Sequence, residues 1–138
     1  MSQGDTRTRQ AVAACERIAV DWGPTAGRIL LGLVLAWFGY HELVQPSLWT
    51  GYVPVIASTS AVATVLVLTH GWLLLVLAVA LIAGVTPRLA AAITALLLVQ
   101  IVVTLTITGG LSDLTMRDVG VLGLAVALTG KGKHRLVV

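Results

Sequence analysis

Charge is what this sequence most lacks. Only 11% of its 138 residues are Asp, Glu, Lys or Arg, against roughly a quarter in soluble domains, while 57% are hydrophobic. A soluble fold this small needs a polar surface that these residues cannot supply. Cysteine is almost absent too. Cys15 stands alone and no CxxC exists, which excludes dithiol–disulfide exchange within one chain; Cys15 is expected to be a small buried or interfacial residue. Aromatics are few, and no basic stripe with interleaved aromatics accompanies the pI near 9.6, so nucleic acid is not expected as a partner. No Ser–His–Asp constellation, phosphate loop, zinc motif or dinucleotide fingerprint appears. No metal site is therefore expected, and no resident cofactor is encoded by a motif.

What the chain does have is four apolar stretches, 26–44, 61–84, 87–108 and 111–129. The first three are each long enough to cross a hydrocarbon core of roughly 30 Å at about 1.5 Å per helical residue. The fourth is the weakest, because Asp113, Arg117 and Asp118 occupy its first turns. The expected fold is all-α, a single domain over 1–138 forming an integral membrane four-helix bundle in the lipid bilayer. Arg7, Arg9, Arg17 and Arg28 precede or open the first stretch, Arg88 lies in the turn between the second and third, and Lys131, Lys133 and Arg135 follow the fourth. The connection 45–60 has no Lys or Arg. Basic residues mark the cytoplasmic side, so both termini and the second turn are expected there, with Cys15 on the same side.

Residues 1–25 lack the continuous apolar region of a signal peptide. They read as a retained cytoplasmic segment, either a short interfacial helix over 11–20 with Trp22 in the aromatic belt, or a polar tail with a helical turn. Gly32, Ala36 and Gly39 suit close helix approach on the first span, and Gln45-Pro46 ends it. The connection 45–60 carries Trp49 and Tyr52, aromatics suited to a membrane interface, and fits a re-entrant piece or a cap. Thr86 is placed as an N-cap with Pro87 as the first helical residue of the third span. Gly120 and Gly123 are assigned to close packing of the fourth.

The few polar exceptions share a depth. Counted from the end that bears the basic residues, His41 and Glu42 lie roughly 22–24 Å up the first helix, His70 roughly 21 Å up the second, Gln100 roughly 20 Å up the third, and Arg117 and Asp118 roughly 18–20 Å up the fourth. A charge at such depth costs at least about 2.5–3.5 kcal/mol and therefore needs a partner. Adjacent helical residues point about 100° apart, so Glu42, His70, Gln100 and Arg117 form the preferred inward set, with His41 and Asp118 as alternates. Glu42 is the cross-helix partner expected for Arg117. The layer reads as a satisfied seam that fixes helix register, or as a pocket whose acid and histidine hydrogen-bond a quinone's carbonyls and handle its protons. Trp37 and Trp72 lie near enough to stack on a ring. Two histidines at one depth also allow axial haem ligation, but that signal is weak. The scarcity of ionisable groups below the layer argues against a continuous transmembrane path.

Three segments resemble the DoxX family of small bacterial four-helix membrane proteins. They are Arg28-Ile-Leu-Leu-Gly-Leu-Val-Leu-Ala-Trp-Phe-Gly39-Tyr-His-Glu-Leu43, the turn Ala83-Gly-Val-Thr-Pro-Arg-Leu-Ala-Ala91, and Arg117-Asp-Val-Gly-Val-Leu-Gly-Leu-Ala-Val-Ala-Leu128 followed by Gly130-Lys-Gly132. Where the family typically has a basic residue this chain has Glu42, and His70–Trp72 occupies the region of its early second-helix acid. The resemblance implies a multi-pass protein of the bacterial inner (cytoplasmic) membrane, serving as a subunit of a redox-linked, quinone-associated assembly. Its partners would be other membrane or redox subunits, or further copies of the chain. The alternative is a non-enzymatic scaffold or assembly subunit whose polar layer is structural. The charged tails 1–21 and 131–138 then serve either as partner contacts or as topology determinants.

Overall fold

Long apolar runs favour helices, and helices account for nearly all the ordered structure. The computed structural model describes residues 2–138. Its helices are α1 (Gln3–Val44), α2 (Ala61–Ala83), α3 (Pro87–Gly109) and α4 (Asp113–Leu128), with two 3₁₀ turns, Pro46–Leu48 and Thr50–Tyr52, after α1. No strand occurs among the described residues. Three of the helices, α1, α2 and α3, are long and apolar enough to cross a membrane. At 16 residues, α4 reaches only about 24 Å.

Three of the four helices start at a serine whose hydroxyl satisfies a first-turn N–H group. The Ser2 hydroxyl accepts from the Asp5 amide at the head of α1, Ser60 from Val62 at α2, and Ser112 from Thr115 at α4. Such caps contribute about 1 kcal/mol each. Pro87 opens α3 as expected, needing no N–H there. Thr86, however, does not cap it with its side chain. Its φ of 40° is left-handed, whereas a side-chain N-cap requires extended dihedrals, and proline at the next position disfavours αR.

The N-terminal segment differs from expectation. It is not a separate surface helix: α1 runs unbroken for 42 residues through Pro24, about 63 Å of helix. Its first two dozen residues project as a mostly exposed arm, and Cys15, expected to be buried or interfacial, is exposed on it.

α1 lies along α2 and α3 along α4, and the two pairs meet less extensively. Small residues set the first contact. A Cβ on Gly39 would come within 2.8 Å of the Gly71 carbonyl, and one on Gly32 within 2.6 Å of Ile82. Gly120 and Gly123 are a correction: a Cβ added at either would meet no neighbouring element within 4 Å. The inward face of α4 is instead Thr115, Asp118, Ala125 and Leu128.

The filled core consists of Leu31, Leu35, Leu74, Leu77, Leu81, Ala91, Leu98 and Leu128, among others. These residues occupy the half of the molecule nearer the chain termini. At that end the tail 130–138 folds back as a strap. The Arg135 amide donates to Thr25 Oγ1 at 2.7 Å, and Arg28 Nη2 donates to the carbonyls of Arg135 and Leu136 at 2.8 and 3.1 Å. Arg28, assigned from sequence to topology alone, is fully buried beneath this strap. Gly84 sits at the crossing with φ 77°, where a Cβ would strike Arg28 Nη1 and approach the Val137 Cα to 2.7 Å.

Candidate functional site

Above the filled half the packing opens into a cavity of about 320 Å³. Every helix contributes to its wall: Leu35, Phe38 and Glu42 from α1, Val67, His70 and Leu74 from α2, Gln100, Ile101 and Thr104 from α3, and Leu114, Arg117, Asp118 and Val121 from α4. The connection after α1 closes over it as a lid, contributing Trp49, Tyr52, Val53 and Pro54. Thr50 is buried and holds the turn through its hydroxyl, which donates to the Ser47 carbonyl at 3.2 Å. Trp49 packs edge-on against Phe38 with ring centroids 6.0 Å apart. A lid of this kind is one of the two forms that the sequence allowed.

The central polar pair is Glu42 with His70. The Gly39–Gly71 crossing brings α1 and α2 close enough for Glu42 Oε2 to meet His70 Nδ1 at 2.8 Å. A carboxylate only accepts, so Nδ1 carries the hydrogen. Nε2 is then a lone-pair acceptor in the neutral ring and a donor in the imidazolium. It is buried and has no partner. Trp49 Nε1, an obligate donor, is likewise buried and unpartnered. The two residues that hold these atoms both line the cavity. Buried polar groups are nearly always satisfied, so these two ring nitrogens on the cavity wall call for partners that the chain's own side chains do not provide, water among them.

The second pair is Arg117 with Asp118. Asp118 is buried, and Arg117 folds back onto it, with both Nε and Nη2 at 2.9 Å from Oδ1. The guanidinium also lies 4.6 Å from the centroid of Phe38, a cation–π arrangement. The expected Arg117–Glu42 pair does not form. Asp118 takes the inward position of α4, and the long, flexible Arg117 side chain reaches it from the cavity edge. Formal charge on the four groups is −1 with a neutral His70 and zero with the imidazolium.

The remaining expectations divide. Gln100 lines the cavity but is exposed, donating to Thr104 Oγ1 at 3.1 Å rather than to the other polar groups. His41 turns away. Its Nδ1 lies 2.8 Å from the Trp37 carbonyl and its ring 4.3 Å from the Trp37 ring, outside the cavity. Trp37 and Trp72 are 65% and 62% exposed and line nothing, because each sits on the face of its helix opposite the packed one. The aromatic wall is Phe38, Trp49 and Tyr52 instead. Phe38 was legible, being four residues before Glu42 on the Leu31–Leu35 face. The inward turn of Trp49 and Tyr52 was not, since it depends on the fold of the lid.

No group of three or more His, Cys, Asp or Glu that could hold a metal occurs among the described residues. Comparison with family models, with curated proteins and with solved structures gives no match to this chain.

Proposed function

We propose that this chain is a DoxX-like integral membrane protein of the bacterial cytoplasmic membrane, and that its cavity binds the head group of a quinone as part of a redox-linked assembly. On this reading all four helices span the membrane. The basic residues of the arm, the α2–α3 turn and the strap face the cytoplasm, and the aromatic lid faces outward. The short α4 is accommodated by local thinning of the bilayer and by its neighbours.

The observation that carries the ligand is the 320 Å³ cavity walled by His70 and Trp49 with their unpartnered ring nitrogens. An apolar cavity of about 150 Å³ binds benzene, so the space here suits a substituted one- or two-ring quinone. A quinone carbonyl accepts from Trp49 Nε1–H or from the His70 imidazolium, and a quinol hydroxyl donates to neutral Nε2. Glu42 fixes the His70 tautomer and stabilises the imidazolium, the role of an orienting carboxylate in a general acid–base pair. The chain itself supplies binding and proton handling. The electrons come from a partner redox subunit, because no motif for an electron carrier is present.

The test is titration of the purified chain in mild detergent with a short-chain quinone, reading tryptophan quenching against a Trp49→Phe variant, together with thermal stability. Saturable quenching that Trp49→Phe removes, and that His70→Leu weakens about tenfold, supports the site. Quinone that neither quenches nor stabilises the protein sinks it. The scaffold alternative draws on the fact that Glu42 and Arg117 already have partners. It is favoured if mild-detergent purification retains other subunits while quinone has no effect.

A further inference from the structure

The seam between α2 and α3 is closed at one end and open at the other. Near the turn that joins the two helices, Leu77, Leu81, Ala90 and Ala91 are buried. Farther up, Leu66 on α2 and Gln100 on α3 both line the cavity, yet Leu66 is 45% exposed and Gln100 is exposed as well. A side chain that lines a cavity and also meets the exterior stands at its mouth. Thr104, one turn beyond Gln100, lines the cavity on the same edge of α3 and is half-buried.

The other seams have closures that this one lacks. α1 meets α2 at the Gly39–Gly71 crossing, with the Glu42–His70 bond beside it. α3 packs along α4. Arg117, though exposed, lies across the α1–α4 seam on Phe38, 4.6 Å from the ring centroid. Overhead, the lid turn Thr50–Tyr52 touches both α2 and α3. Between α2 and α3 themselves, no hydrogen bond, ion pair or ring contact occurs among the described residues. His70 bonds to α1, and Gln100 Nε2 donates along its own helix to Thr104 Oγ1 at 3.1 Å.

Depth decides what this mouth meets. Counted from the turn, Gln100 lies about 20 Å up α3 and Leu66 about 26 Å up α2. On the proposed orientation both fall within a hydrocarbon core of roughly 30 Å. The mouth therefore faces acyl chains rather than water. Polar side chains at such depth face a bundle interior or a cavity, and here Gln100 and Thr104 mark where the cavity reaches the lipid.

We propose that the ligand of the cavity is a long-tailed quinone resident in the membrane, which enters sideways between α2 and α3. Its ring occupies the cavity, and its tail leaves past Leu66 and Gln100 into the lipid. The Gln100 carboxamide and the Thr104 hydroxyl hydrogen-bond the ring oxygens as they pass the mouth. The proposal rests on the quinone reading and adds to it the class of quinone and the path of its tail.

The experiment uses the full chain in phosphatidylcholine vesicles and a benzoquinone whose long alkyl tail carries a diazirine close to the ring. After illumination, peptide mapping by mass spectrometry locates the label that excess unlabelled quinone removes. That label is expected on α2 around Leu66 and on α3 at 100–104. If a short-chain quinone quenches Trp49 but the label falls on the lid at 52–54, on Val34 and Val121, or nowhere, the portal fails and the head-group reading stands. If no label is removable and Trp49 is not quenched, both fall. A second measurement narrows the mouth with Leu66→Phe and Gln100→Phe combined. Affinity for the long-tailed quinone should fall about tenfold, equivalent to roughly two methylene groups of lost tail contact, while a short-chain analogue binds as before. The control Val65→Phe, at an outward position of α2 that is 59% exposed, should change neither. Equal loss of both quinones in the double variant, or the same loss in the control, overturns the path.

Discussion

His70 shows how a single position ties stability to chemistry. Its imidazole is held by Glu42, whose carboxylate is buried with no other partner. Removing one member of a buried pair strands the other, which is worse than removing both. His70→Leu should therefore destabilise the protein by about 2–3 kcal/mol, below the usual cost because the His70 side chain keeps 23% of its surface. The double variant Glu42→Leu/His70→Leu should recover most of that loss. Thermal unfolding of the four proteins of the cycle in one detergent measures the coupling, and simple additivity would show that the pair contributes nothing specific. At this scale the sequence revealed which residues shared a depth, because rise per residue is a property of any helix. It did not reveal partners. Arg117 pairs with its neighbour Asp118 rather than with Glu42 because side-chain reach, not backbone position, decided the contact.

Among the elements, glycine separates contacts that were read correctly from those that were not. Gly39 and Gly71 mark the α1–α2 crossing, so Gly39→Ala should push the helices apart, cost about 1–3 kcal/mol as overpacking does, and loosen the Glu42–His70 contact. Gly123→Ala, at an open helical position, should stabilise α4 by about 0.5–1 kcal/mol. Equal effects from both substitutions would contradict the packing described. The sequence showed small residues on both helices but not their direction, since in these almost wholly apolar segments the inward and outward faces differ little in composition. The strap was illegible for a related reason, because its anchors are mostly backbone carbonyls, which carry no sequence signal. Its docking nevertheless depends on pH. Docked His134 sits among Arg28, Arg88 and the Leu128 carbonyl, beside Lys133 and Arg135, with its pKa below the usual value near 6.5. A released strap takes up a proton near that value while the docked one does not. Docking is strongest above it, weakens as pH falls through it, and has lost the whole contribution below the docked pKa. Hydrogen exchange at the Arg135 amide, corrected for intrinsic rate, should show falling protection on acidification, and His134→Gln should flatten the profile.

The whole molecule is filled at one end and hollow at the other, and its charge is divided in the same sense. Leucines and alanines make up most of the half beneath the polar layer, where Thr94, Thr25 and Arg28 are also buried. On the proposed reading, a ligand reaches the cavity from the lid side or from lipid. The proposed orientation then places Cys15 in the cytoplasm and the exposed Ser58 of the lid connection outside. In sealed spheroplasts a membrane-impermeant maleimide should leave native Cys15 unlabelled and should label Ser58→Cys in a Cys15→Ser background. A permeant reagent should label both. The inverse pattern would reverse the topology, turning the strap outward and the lid inward. Labelling of both by the impermeant reagent would mean that α1 does not cross. In the same background, Thr104→Cys on the cavity wall should react from the lid side and be protected by a short-chain quinone. Its labelling from the strap side alone would overturn the assignment of a closed inner half.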